Sequence, residues 1–296
     1  MIAIKKKSVL SGILVLEAMR RQVVSLPVEA SLGKSVNALI KFKVNAILVR
    51  SDGGVPQGVV SGTDLMAAFY AGLPLETELG AVLSSPLLTC FPDDKLEDGL
   101  SMMLEQRIHQ IYVQGEHPGS IIGILAYSDI VGLLYRYCWA CKQSLHKLNS
   151  PDHDGQAGRA LRVEEVMTPG PVSCPIDQSL ERIIEVLSEK RFGAVLIHSD
   201  DDPAAGVIST TDLVLAYAHG LTPETRAGEI MSAPVLTCQA FDPLTTALQR
   251  MLLRDTKRIF ISSSDSPAVI GLLSLSDAAR FRSGSCKACL AGRMMA

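Results

Sequence analysis

Gly271-Leu-Leu-Ser-Leu-Ser-Asp277 is the stretch on which the reading of this chain turns, because its pattern occurs four times. The other copies are Gly58-Val-Val-Ser-Gly-Thr-Asp64, Gly123-Ile-Leu-Ala-Tyr-Ser-Asp129 and Gly206-Val-Ile-Ser-Thr-Thr-Asp212. Each reads glycine, two apolar residues, a small or hydroxyl residue, a variable one, then Ser/Thr-Asp. The aspartates at 64, 129, 212 and 277 are separated by 65, 83 and 65 residues, which is two close pairs. Such a fixed period is the signature of a repeat architecture. A shift of 148 carries Asp64 to Asp212, Asp129 to Asp277 and Pro86-Leu-Leu-Thr-Cys90 to Pro234-Val-Leu-Thr-Cys238. The chain is therefore two equivalent halves of about 148 residues, each of ordinary domain size.

Working outward, each repeat reads as strand, helix, strand, strand, helix. In the first, Val23-Val-Ser-Leu26 is a β-rich run ended by Pro27, and Leu32, Val36, Leu39 and Ile40 have helical spacing after Ser31. Ala46-Ile-Leu-Val49 is an apolar strand, Ser51-Asp-Gly-Gly54 a turn and Gly58-Val-Val60 the next strand, before a helix from Thr63-Asp64 that Gly72 closes. The first strands of the other repeats are expected at Leu87–Cys90, Val172–Cys174 and Val235–Cys238. Residues 149–158 carry several breakers and no apolar period, and read as a linker.

Composition narrows the classes. The 296 residues are 47% apolar and 20% charged, enough for substantial cores. A formal charge of −3 offers no general attraction to nucleic acid or anionic membrane, and no apolar run reaches the roughly 18 residues of a spanning helix. Lys5, Lys6 and Lys7 before an apolar segment imitate a signal peptide, but Glu17 and Met19 already align with Glu165 and Met167 of the second half. Seven cysteines, an odd number, point to a reducing cytoplasm rather than a disulfide framework.

With Glu17/Met19, Glu165/Met167 and the four Gly-x-x-Ser/Thr-x-Ser/Thr-Asp segments, of which the second has alanine at the hydroxyl position, the chain resembles the cystathionine-β-synthase (CBS) domain family from about Glu17 to Arg282. The resemblance implies an α/β (α+β) fold of four β-α-β-β-α repeats paired into two Bateman modules, arranged as a flat disc. The first module would span 1–148, with repeats at about 15–80 and 81–141; the second would span 159–296, with repeats at about 163–228 and 229–289.

An aspartate in the first helical turn, following a hydroxyl that can act as N-cap, has two acceptor oxygens for the vicinal hydroxyls of a ribose. The hydroxyls and free N–H groups beside it suit a phosphate. Capping alone explains the same residues. The resemblance favours an adenine nucleotide, since similar positions in the family contact ribose and phosphates. The expected sites are Ser61, Thr63 and Asp64; Ser128, Asp129 and His109; Ser209, Thr211 and Asp212; and Ser274, Ser276 and Asp277 with Lys257 and Arg258. The fourth ranks first because it alone joins both hydroxyls to adjacent cations, whereas Ala126 removes one hydroxyl from the second.

Cys138-Trp-Ala-Cys141 and Cys286-Lys-Ala-Cys289, also 148 apart, fall just after the last helix of each module and lie outside the family pattern. They could hold zinc or an iron–sulfur cluster, act as redox dithiols, or be ordinary reduced residues. Cys90, Cys174 and Cys238 fall on first strands and read as core. No nucleophile–base pair or phosphate-binding loop is visible, so the chain reads as a non-enzyme. Three readings stand: a regulatory sensor of AMP, ADP, ATP or S-adenosylmethionine signalling to an unknown protein partner, a metal or redox protein on a CBS scaffold, and an interaction scaffold with empty clefts. Whether the chain forms a homodimer stays open.

Overall fold

The computed structural model describes residues 10, 12–147, 161–263 and 268–280, with side chains in the long helix at 127–147 described as far as Tyr137. After a one-turn helix α1 (Val15–Ala18), repeat 1 runs β1 (Ser25–Pro27), α2 (Leu32–Phe42), β2 (Ala46–Arg50), β3 (Pro56–Ser61) and α3 (Gly62–Tyr70). Repeat 2 is β4 (Thr89–Cys90), α4 (Leu96–Glu105), β5 (Gln110–Gln114), β6 (Ile121–Ala126) and α5 (Tyr127–Lys147). After β7 (Thr168–Pro169), repeat 3 is β8 (Ser173–Pro175), α6 (Leu180–Lys190), β9 (Ala194–His198), β10 (Gly206–Ser209) and α7 (Thr210–Ala218). A short α8 (Ala227–Ile230) precedes repeat 4: β11 (Thr237–Gln239), α9 (Leu244–Leu253), β12 (Arg258–Ser262), β13 (Val269–Ser274) and α10 (Leu275–Arg280).

The strand-helix-strand-strand-helix order is as read from the sequence, with α3 followed by Gly72 at φ +66°. First strands start one or two residues later than expected. Val24, Leu88, Val172 and Leu236 each give one carbonyl to the middle strand, so they flank the ladder rather than join it. A second difference is α5, whose backbone continues through Cys138 and Cys141 to Lys147. The first cysteine pair is therefore inside a helix, not after it. Gly132, the only strong breaker early in α5, does not interrupt it.

In every repeat the first strand pairs parallel with the second, and the second antiparallel with the third. The edge of the third strand is then covered by a segment that leads into the other repeat of the same half. Arg20, ahead of repeat 1, bridges to Ile124 on β6, while Ser84, ahead of repeat 2, bridges to Val59 on β3. In the second half β7 pairs with β13, and Ser232 bridges to Val207 on β10. This exchange couples repeat 1 to 2 and repeat 3 to 4.

The crossing explains the first glycine of each repeated segment. A Cβ on Gly58 would lie 2.4 Å from the Ser84 carbonyl oxygen, on Gly123 2.8 Å from that of Arg20, and on Gly271 2.6 Å from Met167 Sδ. On Gly206 it would meet Met231 Sδ at 2.6 Å.

Packing joins the halves across the other direction. Ile47, Leu48, Val60 and Phe69 share one core with Val195, Ile197, Leu213 and Tyr217, so repeat 1 packs on repeat 3. The rings of Phe69 and Tyr217, equivalent under the 148 shift, stack at 5.3 Å between centroids. Ile111, Val113, Leu125 and Leu134 share a second core with Ile259, Ile261, Leu273 and Ala279, and α5 packs against α9 and α10. An ion pair between Lys43 and Asp255 ties repeat 1 to repeat 4. Cys90, Cys174 and Cys238 are free and buried in these cores, as expected of first-strand residues, and burial pushes the thiols of Cys90 and Cys238 up to about 12.

Candidate functional site

Strand register brings the proposed site residues together. Ala46, Gln110, Ala194 and Arg258, at the start of each middle strand, sit opposite Ser61, Ala126, Ser209 and Ser274. Directly opposed residues of an antiparallel pair share one face, with Cβ atoms about 5 Å apart. The start of each middle strand therefore reaches the Ser-x-x-Asp segment of its own repeat, or Ala126-x-x-Asp129 in repeat 2.

The capping role weighed against a ligand role is realised, and by a different hydroxyl than expected. The cap is not the residue before the aspartate but the serine three before it. Ser61 N–H and Oγ–H donate to Asp64 Oδ2 at 2.7 and 2.6 Å, and the same contacts recur from Ser209 to Asp212 at 2.7 and 2.6 Å. Ser274 repeats them to Asp277 at 3.0 and 2.6 Å. This reciprocal box satisfies donors that a helix start leaves open. Thr63 and Thr211 are left exposed on the first turn.

The second carboxylate oxygen separates the four repeats. Asp64 Oδ1 accepts from Ser84 Oγ at 2.8 Å, and Asp212 Oδ1 from Ser232 Oγ at 2.9 Å. Asp129 Oδ1 is 2.8 Å from Arg20 Nε, with Oδ2 taken by Ala126 N–H at 2.9 Å. All three donors belong to the exchanged lead-in segments. In repeat 4 the register place of Ser84 and Arg20 is held by Thr168, and among the described residues no donor reaches Asp277 Oδ1. Instead Ser274 and Ser276 hydroxyls are 2.8 Å apart beside it. Two small clefts, of about 280 and 300 Å³, open beside Asp64 and Asp129 against Ala67 and Gly132 of α3 and α5.

The CBS domain pattern matches residues 15–71, 79–136, 163–219 and 227–284. The chain belongs to the CBS domain family. Protein MJ1225 from Methanocaldococcus jannaschii, proposed as an archaeal homolog of g-AMPK, is similar in structure: TM-score 0.72, 12% identity, 91% of this chain and 99% of that one covered. A conserved protein from Pyrococcus horikoshii matches with TM-score 0.57, 15% identity and coverage of 91% and 100%. A CBS domain protein from Pyrobaculum aerophilum, PAE2072, complexed with AMP, is 24% identical over 40% of this chain and 89% of that one, with TM-score 0.37. No curated protein matches the chain. At these identities the likeness to the first two establishes the fold.

The boundary between CBS repeats 3 and 4 carries a cation that its surroundings leave unpaired. The Arg258 guanidinium lies where a side chain at residue 193 would be, since a Cβ on Gly193 would come within 1.8 Å of Nη2. Among the described residues it has no hydrogen-bond or ion-pair partner, and Asp277 acts on it only at longer range. Burial pulls its pKa down, and Asp277 opposes that. For Lys257, burial of the amine end, then Arg258, push the ammonium down to about 8, although the residue as a whole stays exposed.

His109, expected as a phosphate cation in CBS repeat 2, is instead held neutral. Burial of the ring, then Arg258 and Lys257 of repeat 4, push it down to about 4 from 6.5. The imidazole meets the Tyr127 ring edge-on at 5.9 Å. A base whose folded value is depressed keeps its full stability above 6.5 and loses it as pH falls toward 4, because the unfolded chain takes the proton first. Because the residue retains solvent contact, screening reduces the effect. Urea unfolding at pH 7 and pH 5 is expected to differ by about 1 kcal/mol more in the wild type than in His109→Gln. Equal pH dependence of the two would show that the ring is not held neutral.

Sequence reasoning missed Arg20, Ser84 and Ser232, which act on aspartates tens of residues away. Ser84 and Ser232 did carry a signal, their 148-residue equivalence; Arg20 carried none. The side chains of Cys138, Cys141, Cys286 and Cys289 lie outside the described residues, as do Trp139 and the linker at 149–158. Among the described residues no group of histidine, cysteine or carboxylate side chains could hold a metal, and no helix is long and apolar enough to cross a membrane.

Proposed function

We infer that this CBS protein is a regulatory sensor that takes an adenine nucleotide, or a related adenosyl ligand such as S-adenosylmethionine, in the cleft of repeats 3 and 4. One observation carries the reading: Asp277 keeps an open carboxylate oxygen next to the Ser274 and Ser276 hydroxyls, while Arg258, opposite Ser274 in the register of the sheet, has no partner among the described residues. The oxygen can accept a ribose hydroxyl, while the guanidinium and Lys257 can take a phosphate or carboxylate. Membership in the CBS family supports the ligand class, through the match of Gly271–Asp277 to the segment by which relatives contact ribose and phosphate.

The signal would arise at Arg258. It rests against Gly193 of the neighbouring repeat, so drawing it toward a ligand in repeat 4 changes the contact between repeats 3 and 4. A cytoplasmic partner protein would read the shifted equilibrium, and no catalytic step is needed.

A ligand that binds the folded state alone stabilises it by about 2.7 kcal/mol at a hundred times its dissociation constant. Thermal melts with AMP, ADP, ATP and S-adenosylmethionine are expected to give an upward shift of several degrees for at least one of them, and a smaller shift for adenosine. No shift with any at millimolar concentration would remove the reading.

A further inference from the structure

Gln110 is a buried polar side chain, 7% exposed, and it stands where Arg258 stands in the other module. Its surroundings are the reverse of those of Arg258. Gln110 Oε1 accepts from Asn45 N–H at 3.3 Å, and Nε2 donates to the Ala46 carbonyl at 3.3 Å and to Tyr112 Oη at 3.1 Å. Tyr112, 3% exposed, donates a hydrogen bond from its own hydroxyl to the same Ala46 carbonyl at 3.3 Å. A neutral, fully satisfied network thus ties the middle strand of repeat 2 to that of repeat 1. The equivalent contact in the second module is a guanidinium laid on a bare glycine, without hydrogen bonds among the described residues. Asn45 is the counterpart of Gly193 under the 148-residue shift, and carries a side chain where Gly193 has none.

A second difference points the same way. In the first module the carboxylates of both repeats are engaged by the protein itself, Asp64 by Ser61 and Ser84, Asp129 by Arg20 and Ala126. The small clefts beside Asp64 and Asp129 include neither Gln110 nor Asn45. A buried polar network with every member satisfied rigidifies what it joins, and opening it would strand a buried amide and a buried carbonyl.

We propose that the Gln110–Asn45–Ala46–Tyr112 network closes the cleft between repeats 1 and 2, confining the ligand to the second module and making the first a fixed brace. Gln110 is then the residue that decides how many ligands a chain takes. This rests on the nucleotide reading above.

Equilibrium dialysis of the full chain against AMP and ATP counts the sites. The expected result is one nucleotide per chain, bound with unchanged affinity in Asp129→Asn and at least tenfold more weakly in Arg258→Ala. The double variant Asn45→Gly with Gln110→Arg copies the pair found at Gly193 and Arg258, and is expected to raise the count to two. Two nucleotides per wild-type chain, or loss of the bound one in Asp129→Asn, would overturn the proposal, as would a double variant that folds and still binds one.

Hydrogen exchange tests the network without any ligand. The Asn45 amide, held by Gln110, is expected to exchange at least tenfold more slowly than that of Gly193, and to lose that protection in Gln110→Ala. Absence of protection overturns the closure even if a nucleotide binds. Protection without binding of AMP, ADP, ATP or S-adenosylmethionine leaves the first module closed and overturns the nucleotide reading of the second.

Discussion

Replacing Asp277 by alanine is expected to weaken nucleotide binding about a hundredfold or more. Hydrogen bonds to a charged acceptor contribute roughly 1.5–3 kcal/mol each, and a ribose offers two hydroxyls to the open carboxylate side. The substitution also removes the box with Ser274 and so lowers stability by about 1 kcal/mol. Asp212→Ala separates the two effects. It deletes an equivalent box with Ser209, but its other oxygen already serves Ser232. Asp212→Ala is therefore expected to cost similar stability and leave affinity intact. Equal losses of affinity in the two variants would mean that capping, not ligand contact, explains Asp277.

The largest expected effect on stability is at Gly58. A methyl group there would sit 2.4 Å from the Ser84 carbonyl oxygen and 2.6 Å from Leu83 Cδ1. Val59 and Ser84 exchange two backbone hydrogen bonds at that crossing, of 2.9 and 2.8 Å, and Ser84 also reaches Asp64. Pushing the segments apart strains all three, and Gly58→Ala is expected to destabilise the chain by about 3 kcal/mol in urea unfolding. Gly132→Ala provides the contrast. It lies in α5 with nothing within 4 Å of its added methyl group, and is expected to stabilise by about 0.5–1 kcal/mol. A Gly58→Ala variant as stable as wild type would show that the exchanged segment does not hold the sheet edge closely.

Much of the fold was legible because the signals were local and repeated. Ala46–Val49 is a buried apolar run with a β-turn after it, and any chain with four such runs at this spacing needs repeated sheets. What could not be read was the exchange of lead-in segments. Arg20 pairs with Ile124 across more than a hundred residues, and Ser84 and Ser232 bond to aspartates 20 residues earlier. Pattern within a repeat carries no trace of which neighbour supplies its edge. The length of α5 was missed for another reason: no proline stands between Ser128 and Lys147 to end a helix.

The site was legible in part. Residue types singled out repeat 4, where Arg258 stands opposite Ser274 in the sheet. The capping serine three positions before Asp64 and the pair of cations flanking His109 were not legible, because they are matters of geometry, not of composition. The 148-residue equivalence suggested four similar sites. Single substitutions at the strand starts, glutamine for arginine and asparagine for glycine, made the two modules chemically unlike.

The most direct measurement is calorimetric titration of the reduced wild-type chain with AMP, ADP, ATP and S-adenosylmethionine, beside Asp277→Ala. Saturable heat from one of these ligands, lost in the variant, is the predicted result. No heat from any of them at millimolar concentration, or the same isotherm with Asp277→Ala, would contradict the assignment of the second module as a nucleotide sensor.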